Sequence, residues 1–495
     1  MAHLSGRIKQ WTMVLLALGT PAPGPVVAEP TDVPDLAGHW VARPSLNGRA
    51  GIVALTFIAQ PDGSLKAELD MPPIEAWHLP IGQARVEAAG VLLGATRFEY
   101  DAKADSLTGP LSSAIVPKYT VMAEFFRTED PPRPSQQPEF GRTNEPEWVS
   151  PTGGSIWSSP VIYGDTLLVG SDDGGLHALS TRDGRIRWSF PTGGPVRAKP
   201  AVDGDRVFVQ SDDGYFYCLN ASDGALEWKT PIVQGPPPRS KAGTQEARYD
   251  HYAASATFEG DVLYTATLAG EVLALGKSDG AVRWRHQSGD AIQGTPVPAQ
   301  GRVIFGSFDN HVYALDAVTG ERVWRFDTGA PVVSTPALHG DLVIIGSRSY
   351  DLYALDMGTG EPRWQDYIWF SWVESSATLA GGTAYIGSSD ARQLLALDAD
   401  TGEREWVFTT TGSVWGTPAV GDNVVYVGSI GVRGYISDHR PGFFAVERNT
   451  GRALWSWLPK RDESVSYSGF ASSPAVDGDR VYVGGLDGRV YTFRR

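Results

Sequence analysis

The stretch LDAVTGERVW at Leu315–Trp324 decides the fold, because the chain repeats it in phase. Each copy joins an apolar residue, a turn, a glycine and a tryptophan in the same order. With one tryptophan that precedes the first complete copy, the series is Trp148, Trp188, Trp228, Trp284, Trp324, Trp364, Trp406 and Trp455. Successive members lie 40, 40, 56, 40, 40, 42 and 49 residues apart. A period near 40 residues with insertions indicates one supersecondary unit copied around an array.

Each unit has the pattern of four short strands. In residues 334–366, runs rich in β-branched and aromatic residues alternate with turns such as His339-Gly340-Asp341. Glycine and aspartate are typical of tight hairpin turns, which need positive φ angles. The repeats show no sustained helical period. Four strands per unit, repeated radially, predict an all-β protein built around a β-propeller.

Seven complete units and one incomplete unit predict eight blades. The complete units begin near Ser158, Ala198, Ala254, Gly294, Ser334, Ser375 and Gly416. The eighth begins at Ser472 and has three strands, whereas Glu147-Trp148-Val149 stands before the first unit. We therefore expect the segment around Trp148 to complete blade eight beside the strand at Phe493. Such closure removes the exposed sheet edges of the ring.

These repeats resemble those of the quinoprotein-like, or PQQ-like, propeller family. The resemblance covers residues 145–495 and rests on seven copies of the phrase that ends in tryptophan. It implies that the eight tryptophans are structural docking residues, each packed against a neighbouring blade. The family includes propellers that assist assembly of the outer membrane as well as PQQ-dependent dehydrogenases, so the resemblance leaves both functions open.

Three segments precede the propeller of residues 147–495. Residues 1–28 have the pattern of a secretory signal peptide, with Arg7 and Lys9 before an apolar core. Residues 36–128 predict a small antiparallel β barrel or sandwich that resembles lipocalin-like domains. Its expected strands are Gly38–Arg43, Gly51–Gln60, Ser64–Asp70, Arg85–Ala88, Arg97–Tyr100, Ser106–Leu111 and Val121–Arg127. Residues 129–146 hold five prolines and predict an extended linker.

Composition narrows the function classes. The net charge of −15 argues against binding to nucleic acid or to an anionic membrane. Cys218 is the only cysteine, so neither an intrachain disulfide nor the adjacent cysteine pair usual in the PQQ enzymes can form. No cysteine lies near the expected cleavage site, which argues against a lipid anchor. We expect an exported periplasmic or extracellular protein without a transmembrane segment, either a monomer or part of a hetero-complex.

The insertions in the repeat concentrate on one face of the predicted ring. They are Ile232–Tyr252, Tyr367–Val373, Gly431–Gly442 and Leu458–Phe470. Because extra loop length costs ordering entropy and adds no core, insertions on one face predict a binding surface. The candidate residues, from these loops and the channel mouth, are Trp157, Arg197, Lys199, Tyr249, His251, Tyr252, Trp369, Phe370, Trp372, Glu374, Trp415, Tyr435, His439 and Tyr467. The alternative is that these aromatic residues pack the long loops against one another.

No residue can be assigned to catalysis or to a metal. Asp172-Asp173-Gly174 and Asp212-Asp213-Gly214 lack the further oxygen ligands of a calcium loop, and the histidines lack metal-ligand spacing. The sequence favours a non-catalytic protein that binds an envelope protein or polymer and needs no cofactor. The alternatives are a dehydrogenase that uses PQQ with calcium, and a carbohydrate-binding propeller.

Overall fold

The computed structural model describes residues 34–495 except 47, 63, 88, 95, 112–119, 135–138 and 234–250. The expected signal peptide therefore lies outside the described residues. The described residues form β-strands and one 3₁₀ turn at Pro72–Ile74, without an α-helix. They therefore include no helix that is long and apolar enough to cross a membrane. They divide into two compact units, Met1–Gln137 with Gly434–Ser437, and Pro138–Arg433 with Asp438–Arg495.

The first unit contains a closed antiparallel barrel. Its strands and a short side hairpin are β1 (Gly38–Ala42), β2 (Ser45–Leu46), β3 (Arg49–Ala50), β4 (Val53–Ala59), β5 (Leu65–Met71), β6 (Ala76–Glu87), β7 (Gly90–Leu93), β8 (Thr96–Asp101), β9 (Ser106–Leu111) and β10 (Val121–Thr128). β1 pairs with both β4 and β10, which closes eight strands into the barrel, while β2 and β3 pair only with each other. Of the two expected architectures, the structure is the barrel.

Large side chains fill the barrel. Trp40, Phe98 and Phe125 are each 0% exposed, and the rings of Phe98 and Phe125 meet edge to face at 5.9 Å. The guanidinium of Arg127 on β10 lies 4.3 Å from the ring of Trp40 on β1. Arg127 also donates to the carbonyl of Ala37 at 2.6 Å. This arginine therefore links the first and last strands of the barrel.

Two barrel strands differ from the sequence-based expectation. The expected strand Arg85–Ala88 is only the end of β6, and β7 was not expected at all. Pro80 lies within β6, opposite Glu68, where the register between β5 and β6 shifts. A bulge allows a strand to include a residue without an amide N–H, so the proline does not end the strand.

The second unit is the propeller. Its leading strands are β11 (Arg142–Thr143) and β12 (Trp148–Pro151). Blade 1 contains β13 (Val161–Tyr163), β14 (Thr166–Gly170), β15 (Gly175–Ser180) and β16 (Ile186–Pro191), and blade 2 contains β17 (Ala201–Asp203), β18 (Arg206–Gln210), β19 (Tyr215–Asn220) and β20 (Leu226–Pro231). Blade 3 contains β21 (Thr257–Glu259), β22 (Val262–Ala266), β23 (Glu271–Gly276) and β24 (Val282–Gln287), and blade 4 contains β25 (Val297–Ala299), β26 (Arg302–Gly306), β27 (His311–Asp316) and β28 (Arg322–Asp327).

The remaining blades follow the same order. Blade 5 contains β29 (Ala337–His339), β30 (Leu342–Gly346), β31 (Asp351–Asp356) and β32 (Pro362–Tyr367). Blade 6 contains β33 (Thr378–Ala380), β34 (Thr383–Gly387), β35 (Gln393–Asp398) and β36 (Arg404–Thr409). Blade 7 contains β37 (Ala419–Val420), β38 (Val424–Val432), β39 (Gly442–Glu447) and β40 (Ala453–Trp457), with β11 on its outer edge and β41 (Tyr467–Gly469) against the end of β38. Blade 8 contains β42 (Ala475–Asp477), β43 (Arg480–Gly484) and β44 (Arg489–Arg494).

The two ends of the propeller meet in blade 8. β12 pairs antiparallel with β44, with Trp148 opposite Thr492. The carboxylate of Glu147 accepts hydrogen bonds from Arg480 at 2.7 and 3.0 Å and from Arg494 at 3.2 Å. The predicted closure of an eight-bladed ring is confirmed.

The repeated tryptophans lie between neighbouring blades. Trp284, for example, donates its indole N–H to the carbonyl of Ala317 in the next blade at 3.0 Å. Its ring also covers Gly320, where φ is +74° and an added Cβ would come within 2.7 Å of the ring. The same contact pairs Trp148 with Gly184, Trp188 with Gly224, Trp228 with Gly280, Trp324 with Gly360, Trp364 with Gly402, and Trp406 with Gly451. Glycine is therefore required at this turn for its positive φ and for its lack of a side chain.

Candidate binding face

Two of the four insertions form one structure. β38 extends beyond its blade, and its residues 430–432 pair antiparallel with β41 in the connection to blade 8. Arg433 continues the pairing, since its backbone N–H donates to Ser466 and its guanidinium to the carbonyl of Glu463. The insertion in blade 7 and the connection from blade 7 to blade 8 therefore lie on the same face, which we call the long-loop face.

Five aromatic residues from four segments form what we call the aromatic cluster at the channel mouth. The rings of Trp157 and His251 stack at 4.1 Å with an angle of 8°. Tyr252 and Tyr467 meet Trp157 edge-on at 5.8 and 6.3 Å. Tyr467 also lies 5.5 Å from Trp415. The cluster therefore joins blades 1 and 7 to the ends of two long connections.

Tyr252, just before blade 3, reaches the start of blade 8. Its hydroxyl donates to the carbonyl of Ala471, at the start of blade 8, at 3.4 Å. Burial raises the pKa of Tyr252 well above 10, and the negative charge of Glu374 raises it further. The tyrosine is therefore neutral at physiological pH.

Ion pairs occupy two other parts of the mouth. Arg197 donates to Asp172 at 2.7 Å and lies 3.8 Å from Asp212, so that one arginine serves the carboxylates of two blades. On the other side, Arg348 pairs with Glu374 at 2.6 Å, and the side chains are only 11% and 3% exposed. Both pairs are held by neighbouring blades, which fixes the charges in place.

A buried carboxylate lies beside the second ion pair. Asp390 accepts the backbone N–H of Trp372 at 3.4 Å, and Arg348 stacks on the ring of Trp372 at 4.7 Å. Burial raises the pKa of Asp390 to about 7, and the charge of Glu374 contributes to the rise. Asp390 therefore changes its charge near neutral pH. Its burial depends on the fold and leaves no signal in the sequence.

His439 belongs to the interior of the blade 7 insertion. It is 0% exposed, and its Nδ1 lies 2.9 Å from the hydroxyl of Ser413. Burial lowers its pKa well below 6.5, with Arg392 and Arg461 adding to the effect. The imidazole is therefore neutral at physiological pH and is packed inside the loop.

Trp369, one of the candidate residues, is buried within its own loop. It is 8% exposed, because Tyr367 meets it edge-on at 5.1 Å and Phe370 lies at 5.6 Å. Trp372 is partly buried beneath Arg348. Tyr435 falls in the segment grouped with the first unit, and Tyr249 lies outside the described residues. Within this loop, Tyr367, Trp369 and Phe370 therefore pack on one another.

Two exposed apolar residues on the long-loop face are not among the residues predicted from the sequence. Leu458 is 47% exposed and Val465 is 43% exposed, both in the connection from blade 7 to blade 8. Neither residue is of the aromatic or charged type that is common at interface hot spots. The available signal was the position of these two side chains in a loop that is otherwise polar, LPKRDESVS at 458–466.

A ring of hydroxyl groups lines the wall just inside the mouth. The equivalent position of the eight units is occupied by Ser159, Lys199, Ser255, Thr295, Thr335, Ser376, Thr417 and Ser473. Backbone N–H groups donate to the hydroxyl of the next unit, from 255 to 295 at 3.0 Å, 295 to 335 at 3.0 Å, 335 to 376 at 2.8 Å, 417 to 473 at 2.9 Å and 473 to 159 at 2.9 Å. Lys199, which offers no hydroxyl, interrupts the series after Ser159.

The tryptophans at the mouth are covered by neighbouring side chains. Trp157 is 6% exposed, and its ring face is covered by His251. Trp415 is 5% exposed and donates its indole N–H to Ser389 at 3.0 Å. Within the described ranges, no group of three His, Cys, Asp or Glu side chains is placed to hold a metal ion. Cys218 is buried, and burial raises the pKa of its thiol to about 12.

Comparison with protein families gives one assignment for the propeller. A family model described as outer membrane protein assembly factor BamB matches residues 136–245, 239–371 and 368–495. The chain belongs to this family. The matches follow the blades and leave the N-terminal barrel unmatched. No curated protein matches the chain in sequence.

Solved structures share the propeller fold. BamB from Moraxella catarrhalis is 18% identical with a TM-score of 0.54, and the match covers 71% of this chain and 100% of that chain. The computationally designed Ika8 protein is 14% identical with a TM-score of 0.57, and the match covers 70% of this chain and 99% of that chain. Because a designed protein matches as well as a natural one, the likeness shows the fold alone.

Proposed function

We propose that this protein is a non-catalytic scaffold that binds protein partners on its long-loop face during assembly of outer membrane proteins. The observation that carries the proposal is the match of the BamB family across the whole propeller, residues 136–495. We further propose that residues 1–28 direct export, which would place the scaffold in the periplasm.

The organisation of the long-loop face supports protein binding. The aromatic cluster and the two ion pairs hold the loops to one another, so little conformational entropy remains to be lost when a partner binds. Leu458 and Val465 project from this ordered base as exposed apolar side chains. Apolar side chains on a rigid base are typical of interfaces that have a small apolar centre and a polar rim.

The test is a double substitution, Leu458→Ser with Val465→Ser. It removes the exposed apolar area without changing the aromatic cluster. We expect cells that carry this variant as their only copy to contain less folded outer membrane β-barrel protein, measured by heat-modifiable migration in gels. The melting temperature of the purified variant should equal that of the unchanged protein.

The matched control is Val318→Ser. Val318 is 83% exposed in the turn between β27 and β28, which lies on the face opposite the long loops. Asp203, on the same side as Val318, is less suitable because it is paired with Lys277. If the control loses assembly and the double variant keeps it, the interaction lies on the face opposite the long loops and the proposal is refuted.

We also propose that the protein acts without a quinone. Titration with PQQ and calcium should give neither a change in quinone absorbance nor dye reduction with alcohols or sugars. Saturable binding with turnover would replace the scaffold by a dehydrogenase. Fractionation of cells tests export, since a protein found only in the cytoplasm would contradict the periplasmic placement.

A further inference from the structure

The barrel carries a groove of about 1000 Å³ on its outer surface. The floor of the groove is the outer side of β1 and β10, where Val41 lies opposite Phe126. Met122 is 64% exposed and Phe126 is 48% exposed, and both line the groove. Exposed apolar side chains inside a groove of this size are typical of a ligand site.

Two segments border this groove. Pro44 lines it at the base of the side hairpin β2–β3, where the carbonyl of Pro44 accepts the backbone N–H of Gly51 at 2.7 Å. Pro131 and Pro132 line it in the segment that follows β10. A proline ring fixes φ, so this second border has little backbone freedom to lose when a ligand binds.

The charges around the groove leave one arginine unbalanced. Arg127 pairs with Asp105 at 2.9 Å, and Arg133 pairs with Asp130 at 3.0 Å. Arg43 also lines the groove and is exposed, and it makes no hydrogen bond or ion pair with any residue that the structure describes. The groove therefore offers a guanidinium that is available to an anion.

The remaining acid of the groove is held on another strand. The carboxylate of Glu124 accepts the hydroxyl of Ser106 at 2.9 Å. Ser106 belongs to β9, which flanks β10 on the side away from β1. Glu124 is thus directed away from the strand that leads to Arg43, which leaves the positive charge of Arg43 in place.

The floor offers no free strand edge to a peptide. β10 pairs with β1 over residues 125–128 and with β9 over residues 121–126, within a closed barrel. A peptide could not add a strand here, and its own amide groups would lie against apolar side chains without partners, which is costly. A hydrocarbon chain has no such groups, so the floor favours an acyl chain.

We propose that the groove binds an amphiphile of the fatty-acid class, with an unbranched hydrocarbon chain and a carboxylate headgroup. The chain lies on Met122 and Phe126, because burial of each CH₂ group is favourable. The carboxylate meets Arg43, whose planar guanidinium can donate two parallel hydrogen bonds to it. Large side chains fill the interior of the barrel, so the ligand lies on its outside.

Calorimetric titration of the full chain with decanoate, below the concentration at which it forms micelles, tests the proposal. We expect one saturable site. Octanoate should bind about 3- to 15-fold more weakly, because it buries two fewer CH₂ groups. Decyltrimethylammonium, which has the same chain length and the opposite charge, should bind about tenfold more weakly or not at all.

Two variants and a control separate the chain contact from the charge contact. Met122→Ser with Phe126→Ser should weaken decanoate binding by about tenfold or more, with little change in melting temperature because both side chains are exposed. Arg43→Gln should weaken decanoate binding about three- to tenfold and remove the preference over decyltrimethylammonium. The control is Ile58→Ser on β4, which is 38% exposed and lies outside the groove. It should leave both affinities unchanged.

A second readout needs no variant. A decanoate analogue with a photoreactive diazirine on its chain should label the residues of β1 and β10 that line the groove, as read by mass spectrometry. Absence of saturable decanoate binding, equal affinity in the double variant, or labels confined to the propeller would overturn the proposal. Binding of an apolar peptide with no binding of decanoate would overturn it as well.

Discussion

Replacement of Glu147 by glutamine tests how firmly the ring is closed. The carboxylate of Glu147 lies in blade 8 between Arg480 and Arg494, from which it is separated by up to 347 residues in the sequence. The hydrogen bonds from Arg480, followed by those from Arg494, lower the pKa of Glu147 from 4.5 to about 2. Glu147→Gln keeps the shape of the side chain and removes the charge.

The pKa sets an upper limit to the effect on stability. A difference of about 2.5 units corresponds to about 3.4 kcal/mol, at about 1.36 kcal/mol per unit. The side chains of Glu147 and Arg480 are 28% and 23% exposed, so solvent screens part of this energy. We therefore expect a loss of about 1–2 kcal/mol in the free energy of unfolding at pH 7.

The dependence on pH has a definite sign. Because the pKa of Glu147 is lower in the folded state, the ion pair contributes fully above about pH 4.5 and is lost as the pH falls towards 2. Urea unfolding of the two proteins should differ at pH 7, and the difference should shrink as the pH falls to 2.5. The control is Asp261→Asn, which breaks the pair with Arg283 inside blade 3. Equal midpoints for Glu147→Gln and the unchanged protein at pH 7 would refute the role of this contact in closure.

Three further changes test other parts of the ring. Gly320→Ala should lower stability by about 1–3 kcal/mol more than Gly301→Ala in chemical denaturation, because both residues have a positive φ but only Gly320 lies under a tryptophan ring. Equal losses would remove the tryptophan contact from the explanation. Asp390→Asn should flatten the pH dependence of the melting temperature. Because the pKa of Asp390 is raised to about 7, the contribution of this residue to stability is fully present below about pH 4 and is lost as the pH rises through 7. A parallel decline in both proteins would contradict the buried position. Trp369→Ala should cost about 3–5 kcal/mol in the same denaturation assay, as expected for a buried tryptophan, and a loss below about 0.5 kcal/mol would show it to be a surface residue.

The repeat made the propeller readable from the sequence. Closure was predictable because Trp148 stands before the first unit while the eighth unit has only three strands, and the structure pairs Trp148 with Thr492. The barrel was less readable, since it has no repeat to compare. Most of β6 was not predicted because it contains Pro80. A proline argues against a strand unless the pairing is irregular, as it is opposite Glu68.

The candidate site was predictable in position and not in detail. The insertions revealed the face, because loop length can be read directly from a repeat. Burial could not be read, and so Trp369 and His439 were selected together with residues at the mouth although both are enclosed by their own loops. Asp390, Leu458 and Val465 gave no comparable signal, because their roles depend on which neighbours the fold places beside them.

The pairing of β12 with β44 in blade 8 also determines when the propeller can be completed during synthesis. β12 is made before any blade, whereas its partner β44 is made after all of them. The emerging chain must therefore keep β12 unpaired until the last strand is available, and an unpaired edge is open to incorrect partners. Joining the ends of a free chain of this length would cost about 5 kcal/mol of entropy, but seven finished blades already hold the ends together. Any loss of the final strand leaves every other blade intact and reopens the ring at one place.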